Sequence, residues 1–364
     1  MSRTRLFTLV ISLLLLGGAV WGLSRFFRAR PAFESEELTT PKLVLEKLPP
    51  LKSLYFTPSA VVALRDAWAS LELPGAGPQD DYAAFARCTH DPGAWRRLDR
   101  ERRFDTVWLM GDPAEYRPLL DHLHESPDWQ LAYLDATSFL FRRGSEPLWK
   151  PADLDALKQR FADHSKREQA VMRVHVAQRL AAIHAMNEAR TLLDEALALD
   201  PASAPALTQL ACHEALLGRW EAALDASTRA LEADPGYPPA MAAHAEALFA
   251  FGKFAQALSV TRKLVKLAPR DGPTLYLHAK VTHAAKAHAE EIEVLKTIIE
   301  INTGRHLPVS TWQVFLGQAY AATGEAGSAL EAFESALQSG RLSDAEREFA
   351  EKGVERLRGR RALR

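Results

Sequence analysis

The chain has 364 residues, of which 47% are apolar and 25% charged. That length and mix predict two or three folded units rather than a disordered chain. Its 45 basic and 46 acidic side chains leave a formal charge of -1, which excludes global attraction to nucleic acid but not a local patch. Two cysteines, Cys88 and Cys212, allow at most one bridge and exclude both a disulfide framework and a multi-thiolate zinc site.

Residues 6–23 read LFTLVISLLLLGGAVWGL, a run of 18 without a charge. At about 1.5 Å per residue it reaches roughly 27 Å, close to the hydrocarbon thickness of a bilayer. Trp21 suits the headgroup layer, and arginines flank both ends. The run predicts a single uncleaved anchor over 1–30. A cleaved signal peptide is the competing reading, although the crowding of Trp21, Phe26 and Phe27 offers no small-x-small site. Two arginines before the run and three after it vote weakly for a cytosolic C-terminal side. Residues 31–51, broken by Pro31, Pro41, Pro49 and Pro50, predict a polar linker.

A small α/β domain is expected over 52–148. Its predicted elements are a strand at 53–56, a helix at 59–69, a loop at 73–78, a short helix at 80–87 and a charged helix at 94–103. A strand at 105–110, a helix at 113–124 and paired strands at 129–133 and 137–142 complete it. The segments Phe104–Leu109, Tyr116–Leu120, Pro127–Asp135 and Phe139–Arg143 resemble the C-terminal soluble domain of bacterial membrane glycosyltransferase-like proteins. In those proteins sugar transfer is associated with a multi-span bundle, which a one-span chain lacks. The resemblance therefore implies an exported location more than a transferase activity.

A connecting helix is predicted over 149–169, and then a regular period of about 34 residues begins. Pro201, Pro235 and Pro269 share one column, and Ala189, Ala223, Ala257 and Glu291 another. Ala177, Ala211, Ala245 and Ala279 form a third, and His184, Gly218, Gly252 and Lys286 a fourth. Small residues in two columns let paired helices approach closely, Trp220 and Phe254 fill the space between units, and the proline ends each second helix. The pattern resembles the tetratricopeptide repeat family, in which each repeat is a pair of antiparallel helices. Units fall at 170–203, 204–237, 238–271 and 272–305, with a fifth at 310–343 after the insertion 306–309. The fourth is degenerate, because Lys286 and Glu291 replace small residues. A capping helix and tail are expected over 344–364. The whole chain reads as mainly α: a superhelical repeat solenoid preceded by a small α/β domain and one N-terminal transmembrane helix.

No nucleophile elbow, zinc-protease motif, Walker loop or dinucleotide fingerprint is present in the sequence, and no cofactor is implied. His122 and His124 are two apart and point to different helix faces, and His278, His283 and His288 drift off any single face, so neither set predicts a metal. Asp80 and Asp81 read as a helix cap in preference to a sugar-transferase acidic pair. The arginines at 96, 97, 100, 102 and 103 alternate with acids, as on a salt-laced surface helix.

The repeat resemblance implies that first helices line a binding groove for a protein or peptide partner. Carried onto this sequence, the lining residues are Gln178, Thr208, Cys212, Glu246, Phe249, Tyr276, Lys280, His283 and Gln318. Phe249 and Tyr276 read as apolar anchors. The expected role is a membrane-tethered scaffold in the bacterial envelope. It is expected in the inner membrane with the bulk of the chain periplasmic, in contact with polysaccharide machinery. An accessory glycosyltransferase-like role and self-association of the repeats are the alternatives.

Overall fold

The computed structural model describes residues 53–57, 82–145, 149–304, 307–339 and 342–362. The expected anchor, linker, 59–69 helix, 73–78 loop and the Asp80–Asp81 pair lie outside these residues. Among the described residues, no helix is long and apolar enough to cross a membrane. The chain forms two compact units that divide between Leu199 and Asp200.

The first unit holds a four-stranded sheet in the order β1-β2-β4-β3. Strand β1 (Leu54–Phe56) runs parallel to β2 (Thr106–Met110), with Tyr55 opposite Val107. Strand β4 (Ser138–Arg143) pairs antiparallel with β2 and with β3 (Trp129–Leu134). The parallel pair needs a long crossover, whereas β3 and β4 need only a hairpin. Asp135 makes that hairpin turn: its Oδ1 accepts the backbone N–H of Thr137 at 2.7 Å and of Ser138 at 2.8 Å.

Helices α1 (Tyr82–Cys88), α2 (Pro92–Arg102) and α3 (Arg117–Glu125) accompany the sheet. The expected single helix over 113–124 is instead a 3-10 turn, Pro113–Tyr116, followed by α3. Tyr116 leaves the helical region at φ -133° and ψ 26°, and Pro118 takes a first-turn position where no N–H is needed. The core is aromatic: Tyr55, Phe56, Phe85, Trp95, Trp108, Phe139 and Phe141 are all buried. Each such ring contributes on the order of 1.5–3 kcal/mol through burial. Their polar ends are satisfied, with the Tyr55 hydroxyl donating to the Phe85 carbonyl at 2.8 Å and the Trp108 indole N–H to Ser138 Oγ at 2.9 Å.

Helix α4 (Pro151–Arg160) leads to the first helical hairpin, α5 (Lys166–Ala182) and α6 (Met186–Leu199). Ser165 and Glu168 form a reciprocal capping box at the start of α5. From α5 the buried Arg179 reaches the sheet region: it donates to the Gly111 carbonyl at 3.0 Å and to the Tyr116 hydroxyl at 3.2 Å, and its guanidinium lies 5.5 Å from the Phe139 ring centre.

The second unit continues with α7 (Ala204–Leu216), α8 (Trp220–Ala233), α9 (Pro238–Ala250) and α10 (Phe254–Leu267). Then come α11 (Gly272–Ala284), α12 (His288–Gly304), α13 (Ser310–Thr323), α14 (Ala326–Gln338) and the terminal α15 (Asp344–Ala362). The alanine columns are buried where helices meet, as their size requires. The turn column takes left-handed backbone in all five hairpins, at His184, Gly218, Gly252, Lys286 and Gly324. In the fifth hairpin and its cap, Phe333 sits between two glycines. A Cβ at Gly317 or at Gly353 would lie 2.8 Å from its ring.

Candidate protein-interaction surface

The first helices of the third, fourth and fifth hairpins carry most of the expected binding residues. Their starts are set locally. Asp271 caps α11, its carboxylate accepting the Thr274 N–H at 2.9 Å, and prolines occupy the first turns of α9 and α11. On these helices Phe249 with Lys280, and Tyr276 with Trp312, form two aromatic groupings. The Lys280 ammonium lies 4.4 Å from the centre of the Phe249 ring, a cation–π contact. Phe249 in turn lies 5.3 Å from Phe254, the aromatic at the head of α10.

Tyr276 stacks on Trp312 at 4.8 Å between ring centres and 17° between planes. Phe315 follows at 6.3 Å from Trp312, and His283 meets Phe315 edge-on at 6.1 Å. Tyr276 is 39% exposed and Phe315 38%. Trp312 and Phe315 are not among the sequence-derived candidates. A signal for them exists in the sequence: aromatics at the third and sixth positions of the fifth unit, facing the Tyr276 of the fourth.

Of the remaining candidates, Glu246 is exposed and Gln318 half-buried on the same set of helices. Cys212 is half-buried on α7, and burial, with the Glu246 carboxylate adding to it, pushes its thiol up to about 11, so it is an inert thiol. Thr208 is only 1% exposed, turned into the packing of α7, so it lies beneath the surface instead of lining it. Gln178 is exposed on α5, in the first unit, where it hydrogen-bonds His175.

The turn of the fourth hairpin explains one of the two departures from the repeat pattern, Glu291. Glu291 stands in the alanine column and is 1% exposed. Its two oxygens are held by two imidazoles, His283 Nδ1 at 2.7 Å and His288 Nδ1 at 3.0 Å. The rule that histidines five apart leave a helix face does not govern this pair, because His283 closes α11 and His288 opens α12. A second network lies beside it. His278 is buried with Nδ1 2.9 Å from Thr261 Oγ1 and Nε2 3.1 Å from Glu290, while Arg262 grips Glu290 at 2.7 Å. Burial lowers the His278 pKa against the pull of Glu290, and the Arg262 hydrogen bonds lower that of Glu290. A neutral imidazole can donate from Nε2 to an ionised Glu290 and accept the Thr261 hydroxyl at Nδ1, in place of that hydroxyl's bond to the Leu258 carbonyl. Among the described residues, no three His, Cys, Asp or Glu side chains form a metal-binding group.

Paired helices repeating at a fixed interval, close-packed at small residues and joined by left-handed turns, define a helical-repeat protein-binding class. Residues 186–281 match tetratricopeptide repeats: two models of that family cover 186–238 and 214–281. No curated protein shows significant sequence similarity to the chain. Among solved structures, it is similar to YrrB, described as "a TPR protein with an unusual peptide-binding site", at 17% identity and a TM-score of 0.46. That likeness covers 54% of this chain and 96% of YrrB. It is also similar to MamA from Desulfovibrio magneticus RS-1, at 20% identity and a TM-score of 0.42, covering 48% and 97% of the two chains. PilF of Pseudomonas aeruginosa is similar at 14% identity and a TM-score of 0.43, covering 53% and 90%.

Proposed function

We propose that this protein is a membrane-tethered scaffold that binds another protein through the face of α9, α11 and α13. The observation that carries the reading is the pair of aromatic groupings, Phe249 under Lys280 and Tyr276 on Trp312 with Phe315 beside it, half-exposed on the inner helices. Rigid aromatic side chains with one open face are suited to the centre of an interface. The repeat family supports a non-enzymatic, peptide- or protein-binding role. The apolar run at 6–23 supports a single anchor in the bacterial inner membrane. The location of the repeats outside the cytosol rests instead on the resemblance of 104–143 to an exported domain, against the weak vote of the flanking arginines.

The resemblance of 104–143 to the soluble domain of membrane glycosyltransferase-like proteins supports an envelope setting near polysaccharide machinery. An accessory role in glycan transfer is the second reading, and it rests on that resemblance alone.

Crosslinked co-purification from intact membranes tests the scaffold. A Phe249→Ala, Tyr276→Ala variant is expected to keep its circular dichroism and lose its main partner. Unchanged recovery by the folded variant contradicts the assignment of this face.

A further inference from the structure

Several charges on the outer helices of the second unit are paired: Arg262 with Glu290, Lys296 with Glu293 and Arg229 with Asp225, while Arg270, in the turn after α10, pairs with Glu300. The inner helices carry few charges. Glu214 on α7 has Arg219, and α13 carries no Asp, Glu, Lys or Arg at all. Glu246 on α9 and Lys280 on α11 are both exposed, and neither has an ion-pair partner among the described residues. They occupy the same position of successive units. Lys280 is also aimed, because the Phe249 ring holds its ammonium from one side. Tyr276, one turn before Lys280 on α11, stacks on Trp312 of the next hairpin, and with Phe315 the three form a wall that extends one hairpin further on. The face is thus ordered along the repeat direction as acid, base, aromatic.

We propose that this face recognises an extended peptide segment that presents a cation to Glu246, an anion to Lys280 and an aromatic ring to the Tyr276–Trp312–Phe315 wall, in that order. The inference rests on the reading of this face as the binding surface and names the chemistry of its occupant. Neighbouring helices pack about 10 Å apart. An extended chain advances about 3.3 Å per residue. The three recognised side chains therefore fall about three residues apart, with the intervening ones free. Opposite charges in the correct order attract, while the exchanged order sets like charges against each other at both places, so the arrangement selects register as well as affinity.

The test uses the full-length protein in neutral detergent and fluorescein-labelled synthetic peptides, with binding read by anisotropy. One peptide carries lysine, glutamate and tryptophan at every third position, the second has lysine and glutamate exchanged, and the third has both replaced by alanine. Each is made in both chain directions. The first is expected to bind about tenfold tighter than the second, with a difference that shrinks as salt rises. A Glu246→Lys, Lys280→Glu variant, whose circular dichroism is unchanged, is expected to invert the preference. Equal affinities for the two charged peptides, or an uninverted preference in the variant, overturn the proposed order. If the alanine peptide binds as tightly as the first and the Phe249→Ala, Tyr276→Ala variant releases it, the charge order falls and the binding surface stands. If none of the peptides binds, both fall.

Discussion

Glu291 Oε1 lies 2.7 Å from Nδ1 of His283, at a place where the other four hairpins carry alanine. A carboxylate buried in an alanine slot survives because His283 and His288 each serve one oxygen. Removing one imidazole should cost about 1.5–3 kcal/mol, and removing both more than either alone. Restoring the repeat's alanine with Glu291→Ala in the His283→Ala, His288→Ala background should then recover stability, since it removes the uncompensated charge. Urea denaturation of these variants beside the unaltered protein checks this as a cycle. No recovery would mean that the carboxylate is served by other groups.

Lys286 and Gly252 occupy equivalent turns, both left-handed, with φ of 56° and 68°. Left-handed backbone costs a residue with a Cβ roughly 1–2 kcal/mol, and glycine nothing comparable. Lys286→Gly should therefore stabilise the protein by about 1 kcal/mol, and Gly252→Ala should destabilise it by a similar amount. Denaturation midpoints of the two variants should move in opposite directions.

Phe333 leaves no room on either side. The Cβ of Gly317→Ala would meet three ring carbons within 3.0 Å, and that of Gly353→Ala would meet its other edge. Alanine improves helix propensity by about 1 kcal/mol over glycine, but overpacking a buried ring costs about 1–3 kcal/mol. Both single variants should be destabilised. Phe333→Leu should relieve much of that loss in the Gly317→Ala background, as measured by thermal unfolding.

His175 gives the first unit a pH-dependent stability. Burial, reinforced by the Arg179 charge and opposed by the Gln178 hydrogen bond, lowers its pKa to about 4. The unfolded imidazole titrates near 6.5, so between these values the unfolded chain binds the extra proton. The contribution is present above about pH 6.5 and is lost as pH falls toward about 4, up to about 3 kcal/mol in all. The His175→Gln variant should show a flatter stability profile over that window. An equally steep profile would assign the dependence to other groups.

The repeat register is legible in the sequence because its cause is steric. Ala177, Ala211, Ala245 and Ala279 are buried where helices cross, and nothing larger fits without displacement. The strands of the small sheet are legible from apolar runs such as Thr106–Met110, bounded by turns. Relations across the hairpins are not. Glu291 reads as a defect because its compensation comes from two helices, one imidazole before the turn and one after it. Thr208 reads as lining because repeat position sets the face only approximately: Tyr276, at the same position two units later, is exposed, whereas the smaller Thr208 is buried. Trp312 and Phe315 escape a sequence reading because their meaning depends on Tyr276, one unit earlier, and on the spatial meeting of α11 with α13.

Site-specific photocrosslinking in intact cells tests the central claim most directly. A photoreactive residue replaces Phe315 on the inner helices or Lys263 on the outer face of α10, in the full-length chain. The account predicts discrete protein adducts from position 315 that disappear with Phe249→Ala, Tyr276→Ala, and none of comparable yield from position 263. Adducts from 263 alone, or adducts from 315 that persist in the folded double variant, would contradict it.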